Sequence, residues 1–335
     1  MMATKITLLG LGQIGTSVGL ALNESSQDFD CTGFDIEPEQ AKLASKLGAV
    51  NQLATTLPPA VQKADIVLMA LPMDQVRETL EIISTNLKKN AVILDTSPVR
   101  EEPNRWAGEY LPKNCHYVGF TPLISPLFLH EAEGRANADL FAHGLIAITA
   151  PAGADSVGVQ TAAALAELLR ATPLFADILE VDSHMASLHL VPQLLAGTLS
   201  ITTTSQPGWQ DGTKFAGRAY ALSTNPISSQ DDPAGLAASV VMNKKNTLRV
   251  LDGIVAELQG IRAVIEVGDV EPLEELLAQA REGREKWWEA RNGARWAYEG
   301  MPRIDPELTK LKPFGRWLPE RKRPEGKEDS RKNKK

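Results

Sequence analysis

A doubly wound parallel α/β sheet followed by an all-helical domain is the fold class that this 335-residue sequence predicts. Three observations carry it. Short apolar runs at 6–9, 31–34, 64–72, 91–94, 116–120 and 144–149 alternate with stretches of helical spacing as far as residue 170. The run from Ile66 to Leu71 is apolar throughout, as a central parallel strand buried on both faces requires. Beyond residue 180 the strand signals stop, and long helical patterns over 183–201, 234–259 and 270–298 replace them.

The first strand runs directly into Gly10-Leu11-Gly12-Gln13-Ile14-Gly15, and residues 17–22 then read as an apolar-faced helix. Strand, glycine turn and helix in that order are the dinucleotide-binding fingerprint in its proper context. Gly10 permits the tight turn, Gly12 lets backbone approach a pyrophosphate, and Gly15 lets the helix pack close to the strand. Asp35 closes the second strand, where an acidic side chain accepts hydrogen bonds from a ribose 2′-hydroxyl. A 2′-phosphate would be repelled there, and Ile36-Glu37 offers no arginine to hold it, so NAD is expected over NADP.

Residues 39–47 have helical spacing and end at Gly48, a natural helix C-terminus. Leu71-Pro72 breaks the central strand at its carboxyl end, where such sheets bind ligands. A helix over 76–87 and the strand 91–94 lead to Asp95-Thr96-Ser97-Pro98-Val99-Arg100, and the strand 116–120 leads to Thr121-Pro122-Leu123. With 144–149 and an alanine-rich helix over 160–170, these complete the first domain, assigned to 1–175. The helical domain is assigned to 176–300. Its apolar helices are expected to bury part of their surface against a second copy of the chain.

Net charge is −7, unevenly spread: residues 310–335 hold 11 basic and 4 acidic residues, so the body is strongly acidic. That argues against nucleic acid as the main partner. The Pro-, Lys- and Arg-rich stretch 301–335 reads as a disordered arm. Two cysteines, Cys31 and Cys115, form neither a disulfide framework nor a zinc spacing. No apolar run reaches membrane-spanning length, and the first strand leaves no room for a signal peptide. A cytoplasmic protein without metal or membrane partner is expected.

Over nearly all of residues 5–290 the chain resembles the prephenate/arogenate dehydrogenase family. The resemblance rests on LGLGQIGTSVGLAL, GFDIEPEQAKLASKLGAV, ADIVLMALP and DTSPVR in the first half. In the second it rests on 182–195, on Asp211-Gly212-Thr213-Lys214-Phe215-Ala216, and on Asp232-Pro233 followed by Asn243. It implies a Rossmann domain, a helical dimerisation domain and a small ring carboxylate bound between them. It also implies an NAD-dependent oxidative decarboxylation of prephenate or a related cyclohexadienyl acid, in tyrosine biosynthesis. Residues 10–15, Asp35, Leu71, Pro72 and Thr96 would then form the cofactor site.

The chain departs from the family's pattern at its reactive positions. Thr121 stands where the family has its catalytic histidine in G-x-H-P-M, and threonine is no base near neutral pH. Pro98 takes the loop serine's place, with Ser97 beside it, Arg100 replaces a lysine, and Lys214 replaces the substrate-binding arginine. Where relatives commonly carry H-D and S-H-L-P-H, this chain has Val181-Asp182 and His189-Leu190-Val191-Pro192-Gln193, with His184 nearby. On the resemblance, Thr121 and Ser97 face the substrate hydroxyl, Arg100 and Lys214 bind its carboxylates, and His184 or His189 takes the proton. Two other readings stay open: a dehydrogenase of another small hydroxy acid, and a dinucleotide-binding sensor or scaffold in which catalysis is lost.

Overall fold

The computed structural model describes residues 3–131 and 134–293. The basic arm read over 301–335 lies outside them. Strand β1 (Thr4–Leu9) shows why a sheet buried on both faces forms here: Ile6 and Leu8 point into one core and Leu9 into the other. Helix α1 (Gln13–Asn23) begins at the glycine turn, four residues earlier than the apolar spacing suggests, because Thr16 N–H already donates to Gly12 O. There follow β2 (Phe29–Phe34), α2 (Pro38–Lys46), the two-residue β3 (Gln52–Leu53), α3 (Leu57–Val61), β4 (Ile66–Met69) and α4 (Met73–Ile83). Next come β5 (Val92–Asp95), α5 (Glu101–Tyr110), β6 (His116–Leu123), β7 (Leu145–Thr149), α6 (Ser156–Leu168) and β8 (Thr172–Phe175).

The eight strands lie in the order β3-β2-β1-β4-β5-β6-β7-β8. Chain order reverses between β1 and β4, and the crevice at such a switch point is where doubly wound sheets bind ligands. Strands β1 to β6 are parallel, but β7 runs antiparallel to β6 and β8 follows β7. A parallel neighbour needs a crossover, usually a helix, and the described residues between Leu123 and Leu145 hold only the short helical turn Pro126–Phe128. The doubly wound parallel sheet expected from the alternation is present, with a reversed pair of strands at one edge. Strand β8 escaped the sequence reading because it is four residues long and contains Pro173, a residue that sheets tolerate at edges.

Two cores flank the sheet. One gathers Val18, Leu22, Phe120, Phe141 and Leu165, the other Val76, Leu80, Ile93, Trp106, Leu190 and Leu236. Each such side chain contributes roughly 1.5–3 kcal/mol when fully buried. Leu190 and Leu236 belong to the helical half, so the second core is shared across the two halves of the chain.

That half comprises α7 (Ile178–Met185), a π-helical turn (Ala186–Leu190), α8 (Val191–Thr204), α9 (Trp209–Gly212), α10 (Arg218–Thr224), α11 (Pro226–Ser229), α12 (Pro233–Met242), α13 (Lys244–Val267) and α14 (Val270–Asn292). The segment 183–201, read as one helix, is therefore a rod with a π turn in it. Pro192 explains the turn: it has no N–H to donate back to Leu188, so the regular ladder is interrupted there. Among the described residues no helix is long and apolar enough to cross a membrane.

Candidate active site

A cavity of about 2180 Å³ runs along the carboxyl ends of β1, β4, β5 and β6 and is roofed by α7, the π turn and the start of α12. At one end lies the glycine turn. Gly10 sits at φ +85, and a Cβ on Gly15 would stand 1.9 Å from Gly10 O, so neither position accepts a side chain. A Cβ on Gly12 would meet nothing within 4 Å, which is the open approach a pyrophosphate needs. No side chain caps α1, so its first-turn N–H groups face the cavity without an intrahelical acceptor.

Asp35 is held in place by two backbone donors. Leu11 N–H donates to Oδ2 at 2.7 Å and Glu37 N–H to Oδ1 at 2.8 Å. Each carboxylate oxygen keeps a further lone pair for a ribose hydroxyl. Ile36, Glu37 and Glu39 line the cavity beside it. Gly10, Gly12, Gln13, Ile14, Leu71, Pro72 and Thr96 also line it. Leu11 does not: its side chain is in the core, and its role is the N–H that orients Asp35. These residues fit a dinucleotide with an unphosphorylated ribose.

Thr121 and Ser97 lie at the floor of the cavity, each 2% exposed. The Thr121 hydroxyl donates to Ser97 O at 3.3 Å, which leaves its lone pairs to accept from a ligand. The Ser97 hydroxyl donates to Asp95 Oδ2 at 2.7 Å and accepts from the Arg100 guanidinium, so it is committed to the protein.

Arg100 differs from the sequence expectation. It is 1% exposed and absent from the cavity wall, and its guanidinium bonds Asp95 Oδ2 (2.9 Å), Asp95 O (2.8 Å), Ser97 O (2.5 Å) and Val99 O (2.9 Å). A guanidinium saturated in this way supports the loop and does not reach a substrate carboxylate. Tyr117 joins the same cluster, its hydroxyl donating to Asp95 at 2.5 Å. Burial first, then the Asp95 charge, push that phenol well above its ordinary range.

Lys214 is likewise remote: it pairs with Asp211 at 2.9 Å on the surface, with 73% of its side chain exposed. The Arg or Lys that does line the cavity, alone of its kind among the described residues, is Arg291. It reaches from α14 to donate to the carbonyls of Leu123 (3.2 Å) and Ile124 at the end of β6. Sequence reasoning missed it, because a lone arginine on a charged helix reads as a solvated face.

Both candidate histidines line the roof. His184 is largely exposed, 3.7 Å from Glu180 one turn away. His189 is held: its Nε2 lies 2.8 Å from Asp231 Oδ2, to which Gln193 also donates at 3.0 Å. Asp231 was not among the sequence candidates, lying 42 residues from His189 at the end of the segment 218–231. That segment is ordered: Tyr220 of α10 bonds Thr203 of α8 at 2.9 Å, and Ile227 packs beneath Gly197.

Comparison with known proteins gives a consistent picture. Residues 18–172 match the family model described as "Prephenate dehydrogenase, nucleotide-binding domain". The chain is 26% identical to the prephenate dehydrogenase of Bacillus subtilis over 85% of its own length and 76% of that protein. It is 23% identical to the cyclohexadienyl dehydrogenase of Zymomonas mobilis, covering 83% and 94% of the two chains. Its fold superimposes with a TM-score of 0.74 on prephenate dehydrogenase from A. aeolicus, solved with hydroxyphenyl propionate and NAD+, at 20% identity over 85% of this chain and 99% of that one.

Proposed function

We propose that the chain is an NAD-dependent oxidoreductase of the prephenate/arogenate dehydrogenase family, to whose members it is similar over most of its length, carrying out the oxidative decarboxylation of prephenate or a related cyclohexadienyl acid, in tyrosine biosynthesis. The observation that carries this reading is the single cavity that joins the Gly10–Gly15 turn and Asp35 to Thr121, His189 and Arg291. NAD, when bound, supplies the hydride acceptor.

The chain's own residues bind, orient and keep dry. The first-turn N–H groups of α1 hold the pyrophosphate, Asp35 holds the ribose, and Leu71, Pro72 and Thr96 shape the floor. Thr121 accepts or donates a hydrogen bond at the ring, and Ser97 acts through the loop it braces. Arg291 offers the cation for a substrate carboxylate, in place of Arg100 and Lys214. Apolar lining from Leu123, Ile124, Met185 and Leu188 excludes water around the reacting ring.

Assays of NADH formation with prephenate, arogenate and a panel of hydroxy acids test this. Turnover of a cyclohexadienyl acid is expected. NAD binding without turnover of any acid would favour the sensor reading, which the threonine at position 121 specifically favours.

The division into a cofactor domain (1–175) and a helical domain (176–300), a cytoplasmic location and a homodimer belong to the same proposal. The dimer is supported by apolar side chains left exposed along the helical half, among them Leu199, Ile201, Leu248, Val255, Leu258 and Ile265. A monomeric mass by light scattering at micromolar concentration would refute it.

A further inference from the structure

Thr121 leaves the proposed reaction without a proton acceptor at the floor of the cavity, since an aliphatic hydroxyl is no base near neutral pH. The roof supplies one. His189 stands in the π turn, and π turns inside helices occur frequently at functional sites. Its Nε2 is 2.8 Å from Asp231 Oδ2. Asp231 is itself fixed twice by Gln193, which donates to Oδ2 at 3.0 Å and accepts the Asp231 N–H at 3.1 Å. The Gln193 side chain also donates to the His189 carbonyl at 3.1 Å, so the three residues form a closed set. A proton on Nε2 directed at the carboxylate leaves Nδ1 with the lone pair. Burial alone would raise Asp231, but the hydrogen bond and charge of His189, with help from Gln193, outweigh it and hold the carboxyl below its ordinary value.

Resting on the oxidoreductase reading above, we propose that His189 accepts the proton of the substrate hydroxyl and that Asp231 is the positioning residue that holds its ring. As the C–H electron pair leaves the carbinol carbon as hydride for NAD, the O–H proton moves to Nδ1 and a carbonyl forms. The bond to the ring carboxyl group then breaks and carbon dioxide departs. Its electron pair closes the aromatic ring, and the proton returns from His189 to the phenolate oxygen. The histidine ends the cycle as it began, and no further reductant or oxidant is required. The base has thus moved from the sheet to the helical half of the chain.

The test uses the full chain with saturating NAD, prephenate and arogenate as probes, and calorimetry to follow NAD affinity. His189→Ala and His189→Gln should lower kcat by about 10²–10⁴-fold, the contribution typical of a positioned base, with NAD affinity unchanged. Free imidazole should restore part of the rate to His189→Ala. Asp231→Asn should lower kcat more than it raises KM, and Asp231→Glu should recover part of that loss. Wild-type kcat in both His189 variants overturns the assignment while the family reading stands. So does a loss of rate that imidazole does not relieve. No turnover of either acid by the wild-type protein refutes the proposed function, and the base assignment with it.

Discussion

Arg100 and Asp95 form an ion pair, Nη2 to Oδ2 at 2.9 Å, with side chains 1% and 0% exposed, directly beneath the loop that floors the cavity. Gly119 makes room for it: a Cβ there would stand 2.6 Å from Arg100 Nη1 and 2.2 Å from Thr149 Oγ1. The glycine of the reactive-strand motif is therefore required by the guanidinium beside it, and the pair's consequence is structural support of the site.

Arg100→Ala leaves the Asp95 carboxylate buried without its partner, and breaking such a pair costs about 3–5 kcal/mol. Urea unfolding should show a loss of that size. A stable variant with raised KM alone would instead mean that Arg100 contacts the substrate.

Asp35→Asn combined with Ile36→Arg should move cofactor preference toward NADP by at least about tenfold, equivalent to about 1.4 kcal/mol. The change removes a charge that opposes a 2′-phosphate and adds one that can bind it. Paired calorimetric titrations with the two cofactors measure the ratio, and a ratio unchanged from wild type would show that the ribose lies elsewhere.

Asp231 contributes a pH dependence whose sign is fixed by its lowered folded value, set against an ordinary 3.8. The unfolded chain takes up this proton first as pH falls, so the stabilisation is complete above 3.8 and is lost as pH drops through the folded value. Melting temperatures of wild type and Asp231→Asn should therefore converge on acidification within that window. Parallel curves would show that the carboxylate and His189 do not interact in solution.

Lys214→Arg should change kcat/KM by less than about twofold, alone or added to Thr121→His, because distant sites act independently. The resemblance by itself suggests synergy between those two changes, but Lys214 stands on the surface beside Asp211. A clear gain from Lys214→Arg would show that it reaches the cavity of a second copy of the chain.

The glycine turn after β1 was legible in the sequence because its geometry is local: Gly10 at φ +85 and Gly15 against Gly10 O accept no side chain. The reversed strands β7 and β8 were not legible, since alternation of apolar runs carries no strand direction. Nor was the fate of the cations. Arg100, Lys214 and Arg291 are alike as letters, and only packing places one beneath the floor, one on the surface and one in the wall. His189 was visible as a candidate, but Asp231, which gives it an orientation, becomes its neighbour only through the packing of α12 against the π turn.

Asp182 adds a mechanical consequence. Its carboxylate, on α7, accepts the N–H groups of Arg100 (2.6 Å) and Glu101 (3.0 Å) and so caps α5 from the other half of the chain, while its own carbonyl accepts from Asn243 at 2.7 Å. Burial raises this carboxyl above its ordinary value despite those donors. Roof and floor are riveted at this point, one side chain apart, with the rivet anchored in turn to the helix that follows Asn243. Removing this carboxylate would leave the first N–H groups of α5 without their acceptor, so the loop beneath the cavity floor and the helix in its roof are tied through one side chain.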